Sequence, residues 1–151
     1  MLNTRPATDI DVPFLEDVFL RAMRVHIEAT RGFWHEPKER EQFREQLQLH
    51  HTRIVEHGGI PIGFFMTLER EGHVELHTLC IAPEQQGRGI GTAAILEIVS
   101  DARDQGREVV LSVLKSNRAA RSLYERLGFV VTGETVDHYQ LRLFHKGSGR
   151  R

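Results

Sequence analysis

The first part of the chain carries apolar residues at helical spacing. Residues 2–5 predict a short strand, and Thr8 or Asp9 offers a side-chain oxygen that can cap a helix start. The inward positions of that helix recur every three or four residues: Val12, Leu15, Val18, Phe19, Ala22, Met23 and His26. This spacing predicts a helix that buries one face.

The pattern then breaks and resumes as a polar helix. The segment 29–37 (ATRGFWHEP) combines a glycine, two aromatic residues and a proline, which predicts a loop with exposed aromatic side chains. The segment 38–51 is strongly polar and predicts a second helix.

Three β-rich segments follow, separated by short turns. They span residues 52–57, 60–70 and 73–83, and the pairs at 58–59 and 71–72 suit two-residue hairpins. Strands joined by such hairpins run antiparallel. The pattern therefore predicts an antiparallel meander.

The second half alternates between helical and β-like patterns. Residues 90–102 predict a helix, 108–114 a strand, 117–127 a helix, and 129–144 two final strands. Because a helix joins the last meander strand to 108–114, these two strands should be parallel. The predicted fold class is α/β, a mixed and mostly antiparallel sheet flanked by about four helices.

Composition narrows the class of protein. The 151 residues fit one domain, predicted over residues 1–145, with residues 146–151 as a flexible tail. Twenty basic and 21 acidic side chains give a net charge of −1, so we expect neither a nucleic-acid nor a membrane partner. The single cysteine allows no internal disulfide, and no leader pattern or run of roughly 18 apolar residues occurs. These features predict a cytoplasmic protein.

A glycine-rich segment between a strand and a helix is the first candidate for chemistry. Residues 86–92 read QGRGIGT, and their backbone amides, added to the positive end of the following helix, can hold a diphosphate. A Walker loop requires a lysine that this segment lacks. The dinucleotide pattern G-x-G-x-x-A is met by Gly89, Gly91 and Ala94, but APEQQGR intervenes after the strand, and SVLKSN offers no acidic residue for a ribose.

Two motifs resemble those of the GNAT superfamily of acyl-CoA-dependent N-acyltransferases. Gln86, Gly89 and Gly91 meet the signature Q/R-x-x-G-x-G/A after a strand. Asn117 opens a helix, with Tyr124 seven residues later and Gly-Phe just beyond. The similarity in element order covers nearly the whole chain and is weakest between residues 29 and 52.

The resemblance implies acetyl-CoA, or another short acyl-CoA, as the acyl donor. Its pantetheine is expected to pair with the backbone where two strands splay apart, and its diphosphate to lie on the glycine-rich segment. The residues expected to bind it are Leu79, Cys80, Ile81, Gln86, Gly87, Arg88, Gly89, Ile90, Gly91, Thr92, Asn117 and Tyr124. We expect no metal, because the nine histidines show no zinc-site spacing, and the chain is compatible with a homodimer.

Acyl transfer to an amine requires a group that protonates the departing sulfur. Asn117 and Tyr124 are close to two helical turns apart and share a face, so the phenol is a candidate donor. A thiol has a pKa of about 8.5 and a phenol about 10, so transfer must accompany charge development on sulfur. The alternative is a core aromatic on an amphipathic helix.

The amine must also lose a proton, and one strand offers two candidates. His73, Glu75 and His77 are predicted to share one face of the strand. By resemblance, Glu75 takes the amine proton through water, whereas His77 has the side chain better suited to proton transfer near neutrality. A third alternative is that no residue serves as base and the neutral amine binds. Cys80 is expected to be a buried strand residue, not an acyl carrier.

The acceptor site is predicted from the helix-linking loop and the last two strands. Phe33 and Trp34 supply an aromatic wall, and Glu134 stands near the rim contributed by the last strands. Further carboxylates at these rims, which would favour a cationic amine, are Glu28, Glu36 and Asp137.

We therefore expect an N-acetyltransferase that moves an acetyl group from acetyl-CoA directly to a primary amine of a small molecule or peptide. The alternatives are an acyl-CoA-binding module without turnover and, with less support, a dinucleotide-dependent oxidoreductase.

Overall fold

A computed structural model describes residues 2–145 of the chain. The predicted tail at 146–151 lies outside the described residues. The seven strands are β1 (Asn3–Pro6), β2 (Thr52–His57), β3 (Ile60–Glu69), β4 (His73–Ile81), β5 (Glu108–Leu114), β6 (Val130–Glu134) and β7 (His138–Leu143). The four α-helices are α1 (Val12–Arg31), α2 (Glu36–Gln46), α3 (Ile90–Asp104) and α4 (Arg118–Arg126).

One sheet contains all seven strands, in the order β1-β2-β3-β4-β5-β7-β6. Every neighbouring pair is antiparallel except β4 and β5, which are parallel. Parallel neighbours need a long crossover connection, and α3 supplies it here. The predicted mixed sheet with four helices is confirmed.

Each face of the sheet packs against two helices. Alternating side chains divide between the faces, so Phe65 packs with the residues of α3 and α4, whereas Phe64 packs with those of α1 and α2. Leu15 and Val18 of α1 are fully buried in the second core, as the helical spacing requires. The sheet thus separates two sides, here called the α3/α4 face and the α1/α2 face.

The loop between the first two helices is shorter than predicted. α1 continues to Arg31 and ends at Gly32, whose φ of 83° is the left-handed conformation that glycine adopts readily. α2 begins at Glu36, with Pro37 in its first turn, where a missing N–H costs no hydrogen bond. The prediction of a loop over 29–37 was therefore wrong at both ends, because α1 continues as far as its Gly32 cap and Pro37 begins a helix instead of breaking one.

The parallel pair separates partway along its length. β4 pairs with β5 only from His73 to Leu76, opposite Glu108 to Leu111. Beyond that point β4 pairs with β3 alone, and β5 pairs with β7. The two strands therefore leave a gap in the middle of the sheet.

A buried carboxylate fixes the turn that precedes α1. Asp11 accepts hydrogen bonds from both Arg5 Nη atoms, at 2.8 and 2.9 Å, and from the Thr8 backbone N–H at 2.8 Å. The Arg5 hydrogen bonds lower the pKa of Asp11 to about 2. A carboxylate with a lowered folded-state pKa stabilises the fold above its unfolded pKa, and that stabilisation is lost as the pH falls toward 2.

Replacing Asp11 by Asn is expected to lower the free energy of unfolding at pH 7 by about 1–2 kcal/mol, allowing for the partial exposure of Arg5. The variant should also lose stability less steeply than wild type between pH 5 and 2. Urea unfolding at several pH values measures both effects. Asp9→Asn is the matched control, because Asp9 is exposed in the same turn and forms no ion pair within residues 2–145. Equal pH dependence in Asp11→Asn and wild type would contradict the assignment.

Candidate active site

The gap between β4 and β5 opens into a cleft of about 410 Å³. The two strands supply residues 76–80 and 111–114 to its wall. Tyr124 of α4 and the preceding residue Asn117 line the cleft on one side, and Phe19, Met23 and Ile27 line it from α1. Because α1 and α4 lie on opposite faces of the sheet, the cleft connects the α3/α4 face with the α1/α2 face.

Tyr124 is buried in the cleft wall with its hydroxyl unpaired. Its ring packs edge-on against Phe129, with ring centroids 5.6 Å apart. Burial, with a smaller contribution from Cys80, raises the pKa of Tyr124 to about 12. Within residues 2–145 its hydroxyl has no hydrogen-bond partner. The phenol is therefore protonated at neutral pH and free to donate.

Asn117 positions the helix that carries Tyr124. Its Oδ1 accepts a hydrogen bond from the Ala120 backbone N–H at 3.2 Å, which caps α4. The adjacent Ser116 hydroxyl donates to the His26 carbonyl of α1 at 3.1 Å. The start of α4 is thus fixed to both its own backbone and α1.

The glycine-rich segment, residues 86–92 and here called the donor loop, leads directly into α3. Gly87 and Gly89 adopt φ values of 78° and 80°, and Gly89 is the N-cap of α3. In the described chain, the backbone amides of 87–92 donate to no backbone carbonyl or side chain. A Cβ on Gly87, Gly89 or Gly91 would meet no atom within 4 Å. These glycines therefore leave a row of accessible donors at the positive end of a helix.

Gln86 joins the donor loop to the end of β4. Its Nε2 donates to the Ile81 carbonyl at 3.0 Å. Arg88 is exposed and donates to Gln85 at 3.3 Å. Ile90 and Thr92 lie in the first turn of α3, where amide donors lack intrahelical acceptors.

The end of β4 offers a free backbone edge beside the cleft. Residues 77–81 pair with no strand on the β5 side, so the backbone of Leu79, Cys80 and Ile81 can pair with a bound ligand. Cys80 itself is 2% exposed, and burial raises the pKa of its thiol to about 12. A thiol in this environment stays protonated and is a poor nucleophile.

The two candidate bases of β4 lie in different surroundings. Glu75 binds Arg70 at 3.1 Å and is not among the residues lining the cleft. His77 lines the cleft, is exposed, and its Nδ1 lies 2.9 Å from the Thr78 hydroxyl. The consecutive β3 residues Met66 and Thr67 lie opposite Thr78 and Leu76, so His77 between them has no partner on β3 and occupies a bulge. The simple alternation predicted for His73, Glu75 and His77 therefore ends at His77.

The predicted acceptor residues lie outside the cleft wall. Phe33 is 56% exposed. The Arg24 guanidinium carbon lies 5.5 Å from the centroid of the Trp34 ring. Glu134 binds Lys115 at 2.6 Å, an interaction that lowers the pKa of Glu134. None of these three predicted residues contributes to the lining of the cleft.

The other acidic groups expected at the rims are also paired. Glu28 binds Arg24 and Glu36 binds Arg40, while Asp137 lies against His138. The charges of Glu28 and Glu36 are therefore balanced, whereas the contact with His138 lowers the pKa of Asp137 and leaves that carboxylate ionised. The structure thus reduces the electrostatic argument for a cationic acceptor to Asp137, which lines the cleft.

Sequence reasoning missed the contribution of α2 to the cleft. Glu39, Gln42, Phe43 and Gln46 line it on the α1/α2 face. Glu39 is 4% exposed and accepts a hydrogen bond from Arg31 at 2.6 Å. Their spacing of three and four residues places them on one side of α2, and this periodicity was the available signal.

Residues 2–145 contain neither a cluster of metal ligands nor a helix suited to cross a membrane. They contain no group of three or more His, Cys, Asp or Glu side chains arranged to hold a metal ion. In the same part of the chain, each helix is too short or too polar to span a bilayer.

Known proteins resemble this chain in sequence. The family model for the acetyltransferase (GNAT) family matches residues 19–129. The chain is 37% identical over 93 residues to the 5-NmdU N-acetyltransferase of Pseudomonas phage PaMx11, covering 60% of this chain and 65% of that protein. It is 33% identical over 106 residues to the N-alpha-acetyltransferase RimI of Mycobacterium tuberculosis, covering 66% of this chain and 65% of that protein. The chain thus spans just under two thirds of the length of these two curated relatives.

A solved structure resembles the fold. The PaiA N-acetyltransferase from Thermoplasma acidophilum, in complex with coenzyme A, superposes with a TM-score of 0.80 at 20% identity. The match covers 96% of this chain and 99% of that chain. At this identity the likeness concerns the fold.

Proposed function

The chain belongs to the acetyltransferase (GNAT) family, and from this premise we propose that it transfers an acetyl group from acetyl-CoA directly to a primary amine of a small molecule or peptide. The observation that carries the proposal is the gap between β4 and β5. It brings the free edge of β4 and the unpaired hydroxyl of Tyr124 into one cleft that is open to both faces of the sheet.

The residues present fit the donor. The unpaired amides of the donor loop, at the start of α3, suit a diphosphate, and the unpaired edge of β4 at residues 79–81 suits the amide groups of pantetheine. The fold is shared with a protein solved in complex with coenzyme A. When bound, acetyl-CoA supplies a thioester whose carbonyl carbon an amine can attack.

Tyr124 is the proposed acid. It lines the cleft from the α3/α4 face and its hydroxyl proton has no acceptor within the described residues. The raised pKa keeps the phenol protonated until sulfur begins to carry negative charge. A direct transfer needs no acyl-enzyme, which accords with the inert environment of Cys80.

The acceptor amine is proposed to enter from the α1/α2 face. There the cleft is lined by Gln42, Gln46 and the ion pair between the exposed Arg31 and the buried Glu39. Paired charges and amides favour a polar acceptor over one of strong single charge. The choice of Glu75 or His77 as base stays a prediction, and of the two only His77 lines the cleft.

An amine panel tests the proposal. It contains a peptide with a free N-terminus, L-amino acids, spermidine and 5-NmdU, the last because the phage relative is named for it. We expect release of CoA thiol that depends on the amine, together with a product heavier by one acetyl group in mass spectrometry. Acetyl-CoA binding without amine-dependent CoA release would favour a binding module and would contradict the proposal.

A further inference from the structure

The turn between β6 and β7 holds a histidine and a carboxylate in fixed positions. The Thr135 backbone N–H donates to the His138 carbonyl at 2.9 Å, and the His138 backbone N–H donates to the Thr135 hydroxyl at 3.1 Å. The Thr135 hydroxyl also lies 3.3 Å from Asp137 Oδ1. Lys115, just after β5, donates its backbone N–H to the Asp137 carbonyl at 2.9 Å. The turn is therefore fixed internally and to the end of β5.

This end of β5 is where the parallel pair has separated. His138 lies opposite Leu114 in the β5–β7 register, and both Asp137 and His138 line the cleft. On β7, Tyr139, Leu141 and Leu143 pack with the α3/α4 core. Because side chains alternate along a strand, His138 faces the α1/α2 side. His138 and Tyr124 thus reach the cleft from opposite faces of the sheet.

The contact with Asp137 determines which ring nitrogen of His138 is free. His138 Nδ1 lies 2.8 Å from Asp137 Oδ1, and a carboxylate accepts, so Nδ1 carries the proton. The same contact lowers the pKa of Asp137, which stays ionised at neutral pH. In the neutral form of the ring, Nε2 carries the lone pair, and this nitrogen has no hydrogen-bond partner within residues 2–145.

Resting on the proposed function, we propose that His138, oriented by Asp137, is the catalytic base that takes the proton of the acceptor amine. It is on the face from which the amine enters, whereas Tyr124 is on the opposite face. A base beside the nitrogen and an acid beside the sulfur divide the two proton transfers between the two sides of the sheet.

The transfer exchanges the C–S bond of the thioester for a C–N bond. The ammonium group gives one proton to His138 Nε2, and its nitrogen forms a C–N bond with the acetyl carbon. The C–S bond breaks, its electron pair goes to sulfur, and Tyr124 gives its hydroxyl proton to that sulfur. The new amide nitrogen loses its second proton, which returns to Tyr124 through solvent, and His138 releases its proton to solvent.

Other titratable groups share the cleft with His138. They are Arg31 from α1, Glu39 from α2, His77 and Cys80 from β4, Tyr124 from α4 and Asp137 from the turn itself. Arg31 and Glu39 neutralise each other, and Lys115 beside the turn is bound to Glu134. His77 is therefore the competing base that the experiments must separate from His138.

Nitrogen NMR of the whole protein tests the dyad without any acceptor. With ¹⁵N-labelled histidine, His138 is expected to be the Nδ1–H tautomer at a pH where its ring is neutral, and Asp137→Asn should change that tautomer ratio. The resonance is assigned by its loss in His138→Gln. An Nε2–H tautomer in wild type, or no response to Asp137→Asn, would overturn the proposal.

The pH dependence of kcat/KM tests the role in transfer, using the panel amine that wild type acetylates fastest. His138→Gln is expected to lose about 10- to 100-fold at pH 7, because only the neutral fraction of the amine can react. The deficit should shrink as the pH approaches the pKa of the amine. His50→Gln is the control, since His50 is exposed, its ring contacts that of His51, and it is not among the residues that line the cleft.

Two results distinguish the failure of this inference from that of the proposed function. A wild type that acetylates an amine, with an unaffected His138→Gln variant and an impaired His77→Gln variant, would overturn the role of His138 alone. If none of the panel amines caused the wild-type protein to release CoA, that result would count against the proposed function. The NMR measurement would still decide the tautomer of His138.

Discussion

Replacing Tyr124 by Phe is expected to lower kcat about 100-fold while leaving the Kd for acetyl-CoA within about twofold of wild type. General acid catalysis contributes a factor of this size, and the phenol is placed to protonate sulfur only as the C–S bond breaks. The hydroxyl has no hydrogen-bond partner within residues 2–145, so its removal should not change the melting temperature by more than a degree or so. Steady-state kinetics and calorimetric titration measure the two quantities separately.

Tyr139→Phe supplies the matched control, because these are the two tyrosines of the chain. The Tyr139 ring packs against Lys115 and Arg121 and does not line the cleft. We expect its variant to keep wild-type kcat. If Tyr124→Phe lost affinity for acetyl-CoA and kcat in equal proportion, the residue would be a packing element and not the acid.

Replacing Gly89 by Val is expected to weaken acetyl-CoA binding at least about 100-fold. At a φ of 80° a β-branched residue carries backbone strain of roughly 1–2 kcal/mol or more. Its side chain would also occupy the open space beside the unpaired amides of the donor loop. Both effects act on the anion-binding geometry, and calorimetric titration with acetyl-CoA measures the result.

Gly106→Val separates the strain from the loss of the site. Gly106 has a φ of 71°, and a Cβ there also meets no atom within 4 Å, but it lies in the turn between α3 and β5. We expect both variants to melt at similarly lowered temperatures and only Gly89→Val to lose affinity. Equal affinities in the two variants would contradict the role of the donor loop.

Local features of the site could be predicted from the sequence. The donor loop depends on glycines that directly precede a helix, and the placement of Asn117 and Tyr124 on the cleft side of α4 depends on helical spacing. The parallel β4–β5 pair followed from the helix between the strands. These features are set by neighbours in the chain, so the pattern of residues was sufficient.

Features set by distant residues could not be predicted. Glu75 was predicted as a base and Glu134 as an acceptor-site residue, but the fold brings Arg70 and Lys115 against them. The bulge at His77 depends on the register with β3, and the place of His138 depends on the pairing of β7 with β5. Hydrophobic periodicity does not encode such registers in detail.

Calorimetric titration of the wild-type protein with acetyl-CoA, and separately with NADH, tests the central claim most directly. The donor loop and the edge of β4 together should bind one acetyl-CoA per chain and no NADH. Binding of NADH without binding of acetyl-CoA would make the glycines a dinucleotide site and would contradict the account of the cleft.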